Sequence, residues 1–213
     1  GADVSHYIPH RMSDGYGLTI DGINRLHNEG AKVVVTVDCG ISSLEAAERA
    51  REIGIDLLVT DHHEPGDVLP RAVAVINPRR NDSEYPCRDL SGAGIAFKIA
   101  QALCIKTGNT KWLSALLKIA AIGTVADVVP LVGENRVIAS LGLDALTAGG
   151  HTHGLQALLD VSGLDGRRVD SEDISFRLAP RINAAGRMSS AELAADLLLS
   201  AGTSSVTECR ALA

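Results

Sequence analysis

The chain has 213 residues, 46% hydrophobic and 22% charged, with 20 lysines and arginines against 26 aspartates and glutamates and a net charge of −6. That length can bury a core as one large α/β domain or as one domain plus part of another, and no apolar run approaches the roughly 20 residues that a membrane span needs. The acidic balance argues against a general electrostatic grip on nucleic acid, and aromatics at 3% of the chain leave few rings for stacking on unpaired bases.

Ala2 to Pro9 reads as a strand stopped by proline. Tyr16-Gly17-Leu18 then leads into a helix with Ile20, Ile23 and Leu26 on one face, closed by Gly30. Lys32 to Val37 is an apolar strand running into Asp38-Cys39-Gly40. Ser42-Ser43-Leu44-Glu45 matches a capping box for a helix that ends at Gly54. Ile55 to Thr60 is a second buried strand, running into Asp61-His62-His63, and Ala72 to Ile76 is a short third one ending at Asn77-Pro78. Continuous apolar strands alternating with helices predict a parallel sheet covered on both faces.

Residues 77–89 read as a polar surface loop. Beyond Leu90 the pattern turns helical, over Ala93 to Cys104, Lys111 to about Asp127, and Asn135 to Leu146, with apolar residues three and four apart. Gly149-Gly150 is a break, followed by shorter helical pieces around Leu155 to Leu159 and Glu192 to Leu199. Ser205-Val206-Thr207-Glu208 is a second capping-box pattern opening a helix that is unfinished at Ala213. The expected class is α/β, a parallel sheet flanked by helices and followed by a helical segment. The four cysteines, Cys39, Cys87, Cys104 and Cys209, are far apart with no Cys-x-x-Cys pair, which suits reduced thiols and, with no leader sequence in view, a cytoplasmic protein.

Ligands of open α/β sheets bind outside the carboxyl ends of the strands, so the acid-and-imidazole triplet after the second strand marks a site. A right-handed βαβ crossover brings the preceding strand beside it, with Asp38 just past the same edge. Mixed carboxylate and imidazole donors favour a manganese-like or zinc-like ion. Asp38 and His62 are the first-choice ligands, and Asp61 can orient a neighbouring ring. An aspartate after a strand also serves as an N-cap or as a solvated loop acid. Asp127 lies within the apolar stretch Ile122 to Pro130, where a buried charge must find a partner; a metal would supply one, and so would a structural hydrogen bond. Arginines amid small residues over Pro180 to Met188, and the two glycines of Leu90 to Ile95, suit anion binding, although such arginines are often solvated surface and such glycines often a packing contact.

Taken together these residues resemble the DHH phosphoesterase family, and within it the RecJ-type single-strand-specific exonucleases. The segments that carry the resemblance run in order: His10-Arg11 with Gly15-Tyr16-Gly17-Leu18, Val37 to Ser42, Thr60 to Glu64, Ser91 to Lys98, Gly123 to Asp127, Gly133 to Arg136, and Arg181 to Met188. The resemblance implies a phosphodiesterase with two divalent ions, Mn2+ or Mg2+, that degrades single-stranded DNA from the 5′ end in repair and recombination. It assigns Asp38 as the bridging ligand, His62 and Asp127 as further metal ligands, His63 as the group facing the scissile phosphate, and Asp61 as the carboxylate that orients a histidine. Arg11, Asn183 and Arg187 would contact phosphate. Single-stranded DNA is the implied partner, with single-strand-binding or repair proteins in the full-length context and no membrane.

On the same basis residues 1–148 form the DHH domain without its first strand and Asp-x-Asp motif, residues 149–204 the helical remainder with the arginine and asparagine motif, and residues 205–213 the start of a helix leading to a second domain. A chain lacking those parts is expected to bind metal weakly and to be nearly inactive alone. Two other readings stand beside this one: a related phosphodiesterase or pyrophosphatase acting on short oligonucleotides, cyclic dinucleotides or pyrophosphate, and a non-catalytic interaction scaffold.

Overall fold

The structure, a computed structural model, describes residues 2–9, 17–188 and 191–200, the side chains of 185–188 excepted. It divides into two compact units. One comprises residues 9–103 and 129–137, and the other residues 1–8, 104–128 and 138–213.

The first unit is built on a parallel sheet in which β1 (Val33–Val35), β2 (Asp56–Thr60) and β3 (Ala74–Ile76) lie in the order β1-β2-β3. The register pairs Val34 with Leu57 and Leu58 with Ala74. Two helices, α1 (Ile20–Asn28) and α2 (Leu44–Glu52), accompany the strands. The hydroxyl oxygen of Thr19 caps α1 by accepting from the Gly22 N–H at 3.1 Å, and Ala46, Ala47 and Ala50 form the buried side of α2. These small side chains let the helix backbone lie close to the strands. Their cluster with Ile23, Val34, Leu57 and Val59 is the core of this unit. The alternation of a strand then leaves Val33 and Val35 on the other side, where they are 56% and 50% exposed. Cover on both faces, expected from the apolar run, is therefore not seen at β1 among the described residues.

Two local expectations do not hold. Residues 2–9 have no regular structure, and Val4 is 82% exposed; an apolar segment becomes a strand only when its backbone groups find a ladder partner. The helix α2 does start where the serines announce it, with Ser43 as N-cap, but no side-chain capping bond forms there. The first unit also contains the early turns of α3 (Gly92–Thr107) and the start of α5 (Gly133–Thr147).

The second unit is helical. A 3-10 turn at Thr110–Trp112 leads into α4 (Leu113–Ala126), and after α5 come α6 (His153–Val161), the single turn α7 (Ser171–Asp173), a π-helical stretch at Ile174–Leu178, α8 (Ala179–Met188) and α9 (Ala191–Leu199). Ile122, Leu146, Leu155, Leu158, Leu159, Ile174, Leu178 and Leu197 form its core. Residues 171–188 are helical throughout, although Pro180 and Gly186 look like breakers in the sequence. A capping box between Asp170 and Asp173 starts this run, and the π turns precede Pro180, which has no N–H to donate backward. Among the described residues no helix is long and apolar enough to cross a membrane.

Candidate metal centre

The carboxyl edge of β1 and β2 is irregular because threonine hydroxyls share the work of the ladder. Regular pairing of β1 stops at Val35, yet the Thr36 N–H donates to the Leu58 carbonyl at 2.9 Å and the Asp38 N–H to the Thr60 carbonyl at 3.0 Å. Between them the Thr60 hydroxyl donates to the Thr36 carbonyl at 2.5 Å, while the Thr60 N–H donates to Thr36 Oγ1 at 3.1 Å. The Thr36 hydroxyl in turn donates to the Cys39 carbonyl at 2.7 Å. These bonds fold the chain back on itself immediately beyond the strand. Asp38 takes a left-handed conformation with φ 62°, and Gly40 follows with φ 107°. A Cβ at Gly40 would stand 3.0 Å from Thr36 Oγ1 and 3.2 Å from Val59 Cγ1, a tight fit added to a backbone conformation that L residues rarely adopt, so glycine suits the turn.

That turn delivers the Asp38 carboxylate to the end of β2, with Oδ1 3.0 Å from His62 Nε2. His63 completes the group: one ligand atom from each of Asp38, His62 and His63 can be chosen so that all lie within 4.8 Å of one another. The His62 side chain is 9% exposed, whereas Asp38 and His63 are 50% and 49% exposed. The cluster thus has one buried wall and an open side. The two imidazole rings are 4.6 Å apart and tilted by 56°.

Beneath the cluster, Asp61 is 1% exposed. Its Oδ2 accepts the Ile41 N–H at 2.9 Å, and its Oδ1 accepts the His62 N–H at 2.8 Å and the His63 N–H at 3.1 Å. The ring nitrogen Nδ1 of His63 lies 2.6 Å from the same Oδ1. Burial pushes the Asp61 carboxyl upward, but the bonds from Ile41 and from the His63 ring and backbone prevail and hold it below the usual carboxylate range. An ionised carboxylate only accepts, so His63 Nδ1 carries the proton and Nε2 is left as the nitrogen able to meet a cation or a phosphate. Burial, and then the nearby Asp61 and Asp38 carboxylates, push the Cys39 thiol up to about 11, so it is protonated at neutral pH.

These donors fit a divalent cation. Carboxylate oxygen and imidazole nitrogen suit manganese-like or zinc-like ions, a second carboxylate orients one ring from behind as metal-bound histidines require, and the exposed side leaves room for further ligands.

The structure also shows supports that local sequence patterns do not reveal. Asn77, 4% exposed at the end of β3, donates from Nδ2 to the His63 carbonyl at 2.8 Å and accepts the Arg79 N–H on Oδ1 at 2.8 Å. In the sequence it was only a strand end before proline. Gly92, the first residue of α3, faces the Asp38 carboxylate at contact distance. Arg79 places its guanidinium 3.5 Å from Glu64 and 3.2 Å from Asp89.

The remaining sequence-predicted residues belong to the helical unit or fall outside the described residues. Asp127 is exposed at the C-cap of α4 in the helical unit, its N–H donating to the Gly123 carbonyl at 3.0 Å. The apolar residues around it line the buried side of the helix, and the chain turns outward at Val128, 88% exposed with φ 60°. The expected burial of Asp127 is thus not found. Asn183 is exposed on α8, and Arg181 donates to the carbonyls of Arg177 at 2.8 Å and Val161 at 3.4 Å. The backbone of Arg187 is in α8, while its side chain, and all of Arg11 and of the helix expected from Ser205, lie outside the described residues.

Comparison with known proteins agrees with this arrangement. The family model for the N-terminal domain of the DHH family matches residues 1–124. The single-stranded-DNA-specific exonuclease RecJ of Escherichia coli is 40% identical across the whole chain, which spans 38% of that protein, and the RecJ of Bacillus subtilis is 42% identical over 93% of the chain, which spans 25% of it. The chain therefore covers less than two fifths of the length of these curated relatives. A crystal structure of exonuclease RecJ bound to manganese superposes with a TM-score of 0.83 at 37% identity, over 99% of this chain and 52% of that one. The RecJ of Thermus thermophilus in complex with Mn2+ gives 0.76 at 35% identity, over 91% of this chain and 28% of its own. With a site of this make-up at the end of a parallel sheet and relatives at this level of identity, the chain belongs to the DHH family, where it is closely related to the RecJ-type single-stranded-DNA exonucleases.

Proposed function

We propose that this chain is the core of a two-metal phosphodiesterase that removes nucleotides from the 5′ end of single-stranded DNA, acting in DNA repair and recombination. The observation that carries the reading is the Asp38, His62 and His63 cluster with Asp61 beneath it, in a chain whose relatives include manganese-bound RecJ structures. Asp38 would bridge two Mn2+ or Mg2+ ions, and His62 and Asp127 would ligate them. A carboxylate at the C-terminal end of a helix sits against the negative end of the helix dipole, and Asp127 is followed by a β-branched residue at positive φ. Both features fit a position held for a cation. Such ions, when bound, would increase the acidity of a water molecule and stabilise charge on phosphoryl oxygens.

The protein's own groups then divide the work. His63, its ring fixed by Asp61, would present Nε2 to the scissile phosphate. Asp61 would hold that ring in one tautomer. Arg11, Asn183 and Arg187 would contact phosphates of the bound strand, the arginines through paired N–H donors.

The test uses the native gene product with manganese and long single strands labelled at either end. Early release of mononucleotides from the 5′ label, with duplex DNA resistant, is expected. Turnover confined to two- to four-residue oligomers or to pyrophosphate would contradict the proposal, and so would undiminished turnover by Asp38→Ala.

A further inference from the structure

Gly133-Glu134-Asn135, at the start of α5, lies outside the metal cluster, yet its side chains are tied to the segment that opens α3. Asn135 is 0% exposed. Its Oδ1 accepts the Ser91 N–H at 3.1 Å, and its Nδ2 donates to the carbonyls of Asp89 at 2.6 Å and Pro130 at 3.1 Å. Beside it, Glu134 accepts from Lys98 Nζ at 2.8 Å and from the Tyr85 hydroxyl. Two successive residues thus grip the chain before and after the first turn of α3. Ser91, also 0% exposed, completes the turn by accepting the Gly94 N–H on Oγ at 2.9 Å.

The residue presented by this clamp is Gly92. An ideal Cβ built there would stand 2.2 Å from Asp38 Oδ1, 2.6 Å from its Cγ and 2.9 Å from its Cβ. The approach is closer than any side chain permits, so the backbone of α3 forms a wall against the Asp38 carboxylate. On another side the carboxylate meets His62 Nε2 at 3.0 Å. An aspartate that is half exposed would otherwise sample several staggered rotamers, and a metal ligand gains affinity when its orientation is set before the ion arrives.

We propose that Asn135, acting through Ser91 and Gly92, is a positioning device that holds the Asp38 carboxylate in the orientation required by a divalent cation. The inference rests on the reading of Asp38 as a metal ligand and adds the residues that aim it. Neither Asn135 nor Gly92 touches the cation.

The experiment is a calorimetric Mn2+ titration of the native gene product and its variants, with thermal unfolding recorded without metal. A Cβ at Gly92 displaces the Asp38 side chain, so Gly92→Ala is expected to lower Mn2+ affinity about ten-fold or more, as disturbing a group that orients a ligand does, with the thermal scan reporting whether the variant is folded. Asn135→Asp retains an acceptor for Ser91 and loses both donors, which loosens the clamp without adding an atom near Asp38; its Mn2+ affinity should fall by a smaller factor. Unchanged Mn2+ affinity in a folded Gly92→Ala overturns the proposal. If that variant does not fold, unchanged affinity in Asn135→Asp overturns it instead. Asp38→Ala separates the two levels: if it binds Mn2+ as the parent does, the metal-ligand reading has failed, whereas its loss alongside an unaffected Gly92→Ala removes only the positioning role.

Discussion

Replacing Asp61 by asparagine preserves shape and removes the charge at the centre of the histidine turn. The carboxylate accepts from the His62 N–H, the His63 N–H and the His63 ring on Oδ1, and from the Ile41 N–H on Oδ2. An amide has one acceptor oxygen and cannot serve both sides. If that oxygen stays with the histidines, the new NH2 group confronts the Ile41 N–H, and a buried donor left without an acceptor costs about 1–3 kcal/mol. The remaining bonds become neutral, and charge-assisted bonds are about twice as strong as neutral ones. Together these effects predict a loss of about 3 kcal/mol, which for a chain of this size lowers Tm by roughly 6–12 °C. Thermal unfolding at pH 7 followed by circular dichroism measures the loss, and amide hydrogen exchange at Ile41 localises it. A loss below about 1 kcal/mol with Ile41 still protected would show that Asp61 does not organise the turn.

Two further outcomes follow from buried or bridged charges. Burial raises the Glu134 carboxyl, but its bonds with Lys98 and Tyr85 outweigh this and leave it below its ordinary value of 4.5. A carboxyl depressed in the folded state stabilises fully above its unfolded pKa and loses that contribution as pH falls through the folded value. The stability gap between the parent and Glu134→Gln should therefore be flat from about pH 7 to 5 and narrow as pH falls below about 4; a gap that stays constant down to about pH 3 contradicts the assignment. Lys118, 4% exposed, donates to the carbonyls of Gly149 at 2.6 Å and Gly150 at 2.9 Å and lies 3.4 Å from His151 Nδ1. Lys118→Met should cost about 2–3 kcal/mol by stranding those carbonyls. His151 is held below its ordinary pKa first by burial and then by Lys118, so its NMR titration midpoint should rise in the variant, and an unmoved midpoint would refute the coupling.

The strand-helix-strand order and the meeting of Asp38 with His62 were legible because they depend on local pattern and on a fixed crossover hand. A run of valines ending in Asp-Cys-Gly and a second run ending in Asp-His-His suffice for that. The strand expected at residues 2–9 failed because pairing is decided by a partner and not by composition. The exposure of Asp127 was missed for a related reason: its apolar neighbours belong to one face of α4, and the aspartate stands where that helix ends. Pro180 and Gly186 concealed a helix that a π stretch and the Asp170 cap make continuous. Asn77 and Asn135 act on residues far away in the chain, and no periodicity announces such contacts; a packing contact at the glycines of α3 was legible, but not that the Asp38 carboxylate is what Gly92 packs against.

The central claim is that Asp38 and His62, in the cluster they form with His63, hold a divalent metal ion at the sheet edge. Electron paramagnetic resonance of free Mn2+ in the presence of the native gene product measures it most directly, because it reads occupancy without turnover. The account predicts saturable Mn2+ uptake that weakens about ten-fold or more in Asp38→Ala and in His62→Ala, with both variants folded. Uptake by either folded variant equal to that of the parent would contradict it.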